Sequence, residues 1–239
     1  MKALLLAGGL GTRLRPITDS IPKCLVPIHG KVLLEYWLDN LSSVGIDEFL
    51  INTHYFHEQV ESFIQNSKYK DKVTLSYEKE LLNTGGTLLK NKDFFQDEPF
   101  MLIHADNLSF CDFDAFIASH RNRPNGCEIT MMTFKTPDPS SCGIVELDSN
   151  LVVQKFYEKV QNPPSNLANG AVYICEPSLF DFLESLKKEN IDFSNDVLPA
   201  FLGKINTFLN DVYHRDIGTL ESYALSQIEI QNIISIKKG

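Results

Sequence analysis

The first half of the chain alternates between two hydrophobic periods, and that alternation restricts the fold more than any other feature. Ala3 to Leu6 is a short apolar run closed by Gly8-Gly9, the pattern of a buried strand feeding a loop that runs to about His29. From Val32 to Leu41 the apolar residues Leu33, Leu34, Trp37, Leu38 and Leu41 recur at helical spacing, and Gly45 follows as a terminator. Phe49 to Ile51 reads as strand, Val60, Phe63 and Ile64 as helix, and Val73 to Tyr77 as strand. Phe100 to Ile103 is a fully apolar strand that ends at His104-Ala105-Asp106. Such alternation builds a parallel sheet covered by helices on both faces, with ligands at the carboxyl ends of the strands. Gly8-Gly9 and Asp106 both fall at such ends.

The second half changes character. Gly143 to Leu147 and Leu151 to Tyr157 flank the turn-forming Asp148-Ser149-Asn150, which predicts a hairpin, and Ala171 to Cys175 adds a strand. Leu179 to Leu186 and Leu220 to Ile234 carry helical periodicity. No repeat, low-complexity tract or long linker interrupts the 239 residues, so one domain spanning 1–239 is expected.

Charge narrows the partners. There are 31 acidic against 22 basic side chains, a formal charge of −9, and no basic block. That removes the electrostatic footprint of nucleic-acid binders and membrane-surface proteins, leaving small-molecule or protein partners. Ala3 to Ala7 is too short for the apolar core of a signal peptide, roughly 7–15 residues, and no uninterrupted apolar run of about 18 residues offers a membrane span. A cytoplasmic protein is expected. Cys24, Cys111, Cys127, Cys142 and Cys175 show neither a Cys-x-x-Cys pair nor zinc spacing, and are expected to be reduced thiols.

The segment Ala7-Gly8-Gly9-Leu10-Gly11-Thr12-Arg13 follows a strand, where glycines let backbone amides approach phosphate oxygens. A dinucleotide-dependent oxidoreductase would need a third glycine where Leu14 stands, and no Gly-Lys-Ser/Thr completes a Walker loop. Arg13 and, ten residues on, Lys23 place two cations on a loop already suited to anions.

At this point the stretch LLLAGGLGTRLRPITDSIPKCLVPI resembles the signature of the sugar-1-phosphate nucleotidyltransferases, with Cys24 where a proline commonly follows the lysine. The resemblance runs from Met1 to about Tyr223. It implies an α/β, Rossmann-like three-layer sandwich with a mostly parallel mixed sheet, in the short form without a C-terminal β-helix. The implied reaction joins a nucleoside triphosphate to a sugar 1-phosphate with release of pyrophosphate, using Mg²⁺, and is compatible with a homo-oligomer. Arg13 and Lys23 match the catalytic cations, and Leu6, Ala7, Gly8, Gly9, Gly11 and Thr12 the nucleotide-binding loop. Asp106 and Asp216 match the two metal-binding aspartates. Gly143, Glu158, Lys159 and Asn169 match, in order, the sugar-phosphate residues, with Val160 where proline usually stands.

The base-contacting segment is matched by Glu78-Lys79-Glu80-Leu81-Leu82-Asn83-Thr84-Gly85-Gly86-Thr87, whose Thr-Gly-Gly is similar to heptose-1-phosphate guanylyltransferases. Glu78, Asn83 and Thr84 are the expected nucleotide contacts. A carboxylate at Glu78 can accept two parallel hydrogen bonds from guanine, which favours GTP. The resemblance implies mannose 1-phosphate or a heptose 1-phosphate as the expected partner. A uridylyl- or thymidylyltransferase is the alternative. Two plainer readings stand beside these: Glu78 as a solvated residue next to Lys79, and Thr84 as the cap of a helix starting near Leu88. A silent regulatory subunit of the same fold is expected to have lost Arg13, Lys23 or a metal aspartate, and all are retained.

Overall fold

The computed structural model describes residues 1–236, which fall into two compact units interleaved along the chain. One comprises Met1–Leu4, Glu80–Ile103 and Cys111–Val212; the other comprises Leu5–Lys79, His104–Phe110 and the segment from Tyr213 onward. The fold is α/β with a mixed sheet.

In the second of these units, strands Phe49–Thr53 and Val73–Tyr77 run parallel, paired from Phe49 with Val73 to Thr53 with Tyr77. Helix Leu33–Ser43 forms where the sequence predicts, because Leu33, Leu34, Trp37, Leu38 and Leu41 make one apolar stripe and all are buried. Gly45, at φ 81°, closes it. Trp37 Nε1 donates to Asn107 O at 2.7 Å, anchoring the strand Asn107–Phe110. Leu14, Val26, Ile28, Leu33, Tyr36, Leu108, Phe110 and Ile217 form a buried core joined by Ile230 of the helix Leu220–Ile236.

In the other unit the predicted hairpin is present. Gly143–Leu147 pairs antiparallel with Val153–Glu158, and the Asp148 carboxylate accepts from the amides of Asn150 and Val152 at 2.8 and 3.0 Å. The strand expected from Ala171 begins earlier, at Leu167, because its pairing with Ile129–Lys135 breaks between Asn169 and Tyr173 and resumes. Ala171 sits in that break at φ 52°, which hid the first half of the strand from a period-two reading. Ile205–Leu209 pairs parallel with Ile129–Lys135.

Among the described residues no helix is long and apolar enough to cross a membrane. All five cysteines carry free thiols, with Cys24, Cys127 and Cys175 buried.

Buried His120 has Nδ1 2.8 Å from Thr130 Oγ1 and Nε2 3.1 Å from Glu176 Oε1. Burial first, and Arg123 second, pull its pKa down from 6.5 to about 4. It is therefore neutral when folded but protonates on unfolding, so stability is full above pH 6.5 and falls as pH drops towards 4. Urea midpoints measured across that window are expected to decline, and to decline less in His120→Gln.

Candidate functional site

Strand Lys2–Leu6 ends where the glycine loop begins. The amides of Ala7 and Gly8 donate to Asn52 Oδ1 at 2.7 and 3.2 Å. Gly11 adopts φ 63°, and a Cβ there would lie 2.9 Å from Thr18 Cγ2, so only glycine lets the loop fold back over Thr18. Thr18 Oγ1 in turn donates to Gly11 O at 2.7 Å. Leu14 is fully buried and pins the loop to the core, while Gly9, Leu10, Thr12 and Arg13 face solvent.

Asp106 and Asp216, far apart in sequence, meet through a short ladder. Tyr213–Asp216 pairs antiparallel with Asn107–Phe110, setting Asp216 opposite Asn107, and Ile217 N donates to Asp106 O at 3.1 Å. The buried Lys23 reaches both carboxylates, with Nζ 2.8 Å from Asp106 Oδ2 and 3.4 Å from Asp216 Oδ1. Arg13 Nη2 is 3.8 Å from Asp216 Oδ2. Burial alone would raise the pKa of Asp106, but the charges of Lys23 and His104 outweigh it and hold the carboxyl below its usual range. Gly218 makes room for this cluster: a Cβ there would fall 2.6 Å from Asp216 Oδ2 and 3.1 Å from Arg13 Nη2.

Glu78 directly follows the strand Val73–Tyr77. Its amide donates to Thr53 O at 2.8 Å, and His54 Nδ1 lies 2.8 Å from its carbonyl oxygen. The residue is only 1% exposed, so the reading of a solvated glutamate is corrected: Glu78 is turned in from the surface while Lys79 and Glu80 stay out.

The remaining predicted residues lie in the other unit, in two groups. Asn83 and Thr84 open the helix Asn83–Lys90. Asn83, at φ 59°, hydrogen-bonds Asn190 through its side chain, and Thr84 Oγ1 accepts from Phe193 N at 2.9 Å. Thr84 thus lies inside the first turn, and the reading as cap of a later helix is corrected. The neighbouring glycines serve close packing, since a Cβ on Gly86 would sit 2.2 Å from Glu189 O and one on Gly85 2.6 Å from Ile191 Cγ2.

Gly143 and Glu158 are directly paired across the hairpin, and a Cβ on Gly143 would lie 2.9 Å from Glu158 Oε2. Lys159 Nζ is 3.4 Å from Glu158 Oε1. Asn169 donates to Tyr173 Oη at 2.7 Å and accepts from Ala171 N at 2.9 Å.

Within one unit, then, the loop glycines, Arg13, Lys23, Asp106 and Asp216 converge. Sequence reasoning passed over Asn52, Thr18 and the packing role of Gly218. The available signal for Asn52 was a polar residue at the carboxyl end of an otherwise apolar strand.

A family model described as nucleotidyl transferase matches residues 2–232. Mannose-1-phosphate guanylyltransferase 1 of Arabidopsis thaliana is 35% identical over 199 residues, covering 79% of this chain and 55% of that protein. The chain spans less than two thirds of the length of this and the similar rice proteins. The D-glycero-alpha-D-manno-heptose 1-phosphate guanylyltransferase of Aneurinibacillus thermoaerophilus is 32% identical, covering 98% of this chain and 100% of that one. Among solved structures, HddC from Yersinia pseudotuberculosis superposes with a TM-score of 0.81 at 26% identity, covering 96% of this chain and 99% of that one. HddC has also been crystallised with GMP-PN. Matched over nearly its whole length by that family model, the chain belongs to the nucleotidyl transferase family.

Proposed function

We propose that the chain is a sugar-1-phosphate guanylyltransferase, moving GMP from GTP onto mannose 1-phosphate or a heptose 1-phosphate. The observation that carries this reading is the convergence of Asp106 and Asp216 on the buried ammonium of Lys23, with Arg13 beside them. A phosphate oxygen of the sugar 1-phosphate attacks the α-phosphorus of GTP, the bond from that phosphorus to the bridging oxygen breaks, and pyrophosphate leaves with the electron pair. Two polyanions must meet, so catalysis rests on positioning and charge neutralisation and needs no protein nucleophile. Lys23 offsets charge at the α-phosphate, and Arg13, mostly exposed at the loop, stabilises the departing pyrophosphate.

The two aspartates suit Mg²⁺: both are hard oxygen donors, and both already face one cation, the Lys23 ammonium. Mg²⁺ held by Asp106 and Asp216 would supply charge neutralisation at phosphate oxygens. Glu158 accepts sugar hydroxyls, Lys159 neutralises the sugar phosphate, and Asn169 both donates and accepts, with Gly143 leaving room for the Phe156 ring and the Glu158 carboxylate. In this reading residues 1–239 act as one catalytic domain in the cytoplasm.

The base preference rests on Glu78. A carboxylate there can accept from guanine N1–H and N2–H₂ together, whereas uracil and thymine offer one donor. Leu6, Ala7, Gly8, Gly9, Gly11, Thr12, Asn83 and Thr84 complete the proposed nucleotide contacts. We expect kcat/KM for GTP to exceed that for UTP, dTTP and CTP, and the preference to collapse in Glu78→Ala. A wild-type preference for a pyrimidine triphosphate would refute the guanine assignment.

A further inference from the structure

We infer that Asn52 is a positioning residue that sets the spacing between the triphosphate loop and the base-recognition end of the nucleotide site. This rests on the nucleotide reading above. Asn52 lies one residue before the end of the strand Phe49–Thr53 and is 4% exposed. A carboxamide so buried is costly unless its polar atoms are used. Its Oδ1 takes two backbone donors, the amides of Ala7 and Gly8. Two N–H groups facing one end of the carboxamide require that end to be the oxygen, because the NH₂ group cannot accept.

Two consequences follow from this contact. The amides of Ala7 and Gly8 are satisfied by the protein, so the donors left for phosphate begin at Gly9. There the surface is open: a Cβ on Gly9 would meet nothing within 4 Å, and Leu10 and Thr12 are exposed. The same strand end also holds the base-recognition side, since the next residue, Thr53, accepts the amide of Glu78 at 2.8 Å and pairs with Tyr77. Adjacent residues of one strand therefore grip the start of the glycine loop and the backbone of Glu78. The grip on the loop is made by a side chain and can be removed without touching the sheet ladder.

The test combines hydrogen exchange with steady-state kinetics on the full chain. In Asn52→Ala the Ala7 and Gly8 amides should exchange at least roughly tenfold faster, as amides that lose a buried acceptor do, while the Leu50 and Ile51 amides keep their protection. KM for GTP should rise on the order of tenfold because a displaced loop misplaces the phosphates. KM for mannose 1-phosphate should stay within about twofold, since Asn52 touches nothing assigned to the sugar phosphate. Asn52→Asp, whose carboxylate accepts both amides, should restore their protection. Unchanged exchange at Ala7 and Gly8 in Asn52→Ala, or an unchanged KM for GTP, overturns the inference. If the wild-type protein transfers no nucleotide at all, the proposed function fails, and the exchange measurement still decides whether Asn52 fixes the loop.

Discussion

Lys23→Ala is expected to lower kcat by on the order of 10²-fold or more, the usual cost of deleting a preorganised charge aimed at a transition state. The side chain is buried and its ammonium is shared between two carboxylates, whereas Arg13 reaches only Asp216. Removal takes the shared ammonium from Asp106 and leaves Asp216 with the more distant Arg13. Breaking a fully buried pair costs roughly 3–5 kcal/mol; with Asp106 41% and Asp216 52% exposed, solvent screening cuts this to about 1–2 kcal/mol. The variant should fold, as circular dichroism will check, and its Tm should rise with added Mg²⁺ more than that of the wild type. The pH dependence has a definite sign. Asp106 is held below its ordinary pKa by Lys23 when folded, so its pairing stabilises above the unfolded carboxylate pKa and is lost as pH falls through the folded value. That component of acid sensitivity should shrink in Lys23→Ala. Near wild-type turnover by a folded Lys23→Ala protein would remove the catalytic assignment.

Asp106→Asn and Asp216→Asn are each expected to reduce kcat on the order of 10²-fold and to raise the Mg²⁺ concentration for half-maximal activity, because an amide oxygen is a weaker ligand than a carboxylate. The double variant should lose little more than either single one. Residues that hold one ion act as a unit, and a double-mutant cycle reads their coupling. The ladder between Tyr213–Asp216 and Asn107–Phe110 gives that coupling a structural basis, since it sets the two residues beside one cation. Losses that simply multiply would contradict a shared site.

Of the first half, Asn107–Phe110, Phe113–Arg121 and the start of Asn83–Lys90 were passed over, while elements that kept one period over their length, such as Val73–Tyr77 and the Leu33–Ser43 stripe, were legible. The strand carrying Asp216 was not. Tyr213-His214-Arg215-Asp216 has neither an apolar run nor clean alternation, and its register depends on a partner far back in the chain. Asp216 was therefore found through its motif, while the reason it meets Asp106 came only with the fold. Gly85 and Gly86 show the converse. The motif puts them in the segment proposed to contact the base, and the structure adds that their missing side chains admit the Ile191 side chain and the Glu189 backbone. Asn52 escaped sequence reading because its acceptor oxygen serves amides 44 and 45 residues away, a pairing no local pattern encodes.

The central claim is transfer of GMP with pyrophosphate as leaving group, and ³¹P NMR of the protein with Mg²⁺, GTP and mannose 1-phosphate or a heptose 1-phosphate reads it directly. The account predicts two coupled diphosphate resonances of a GDP-sugar appearing with an equal amount of pyrophosphate, and no product when the sugar phosphate is left out. Hydrolysis of GTP to GDP and orthophosphate, or no pyrophosphate with either sugar phosphate, would contradict it.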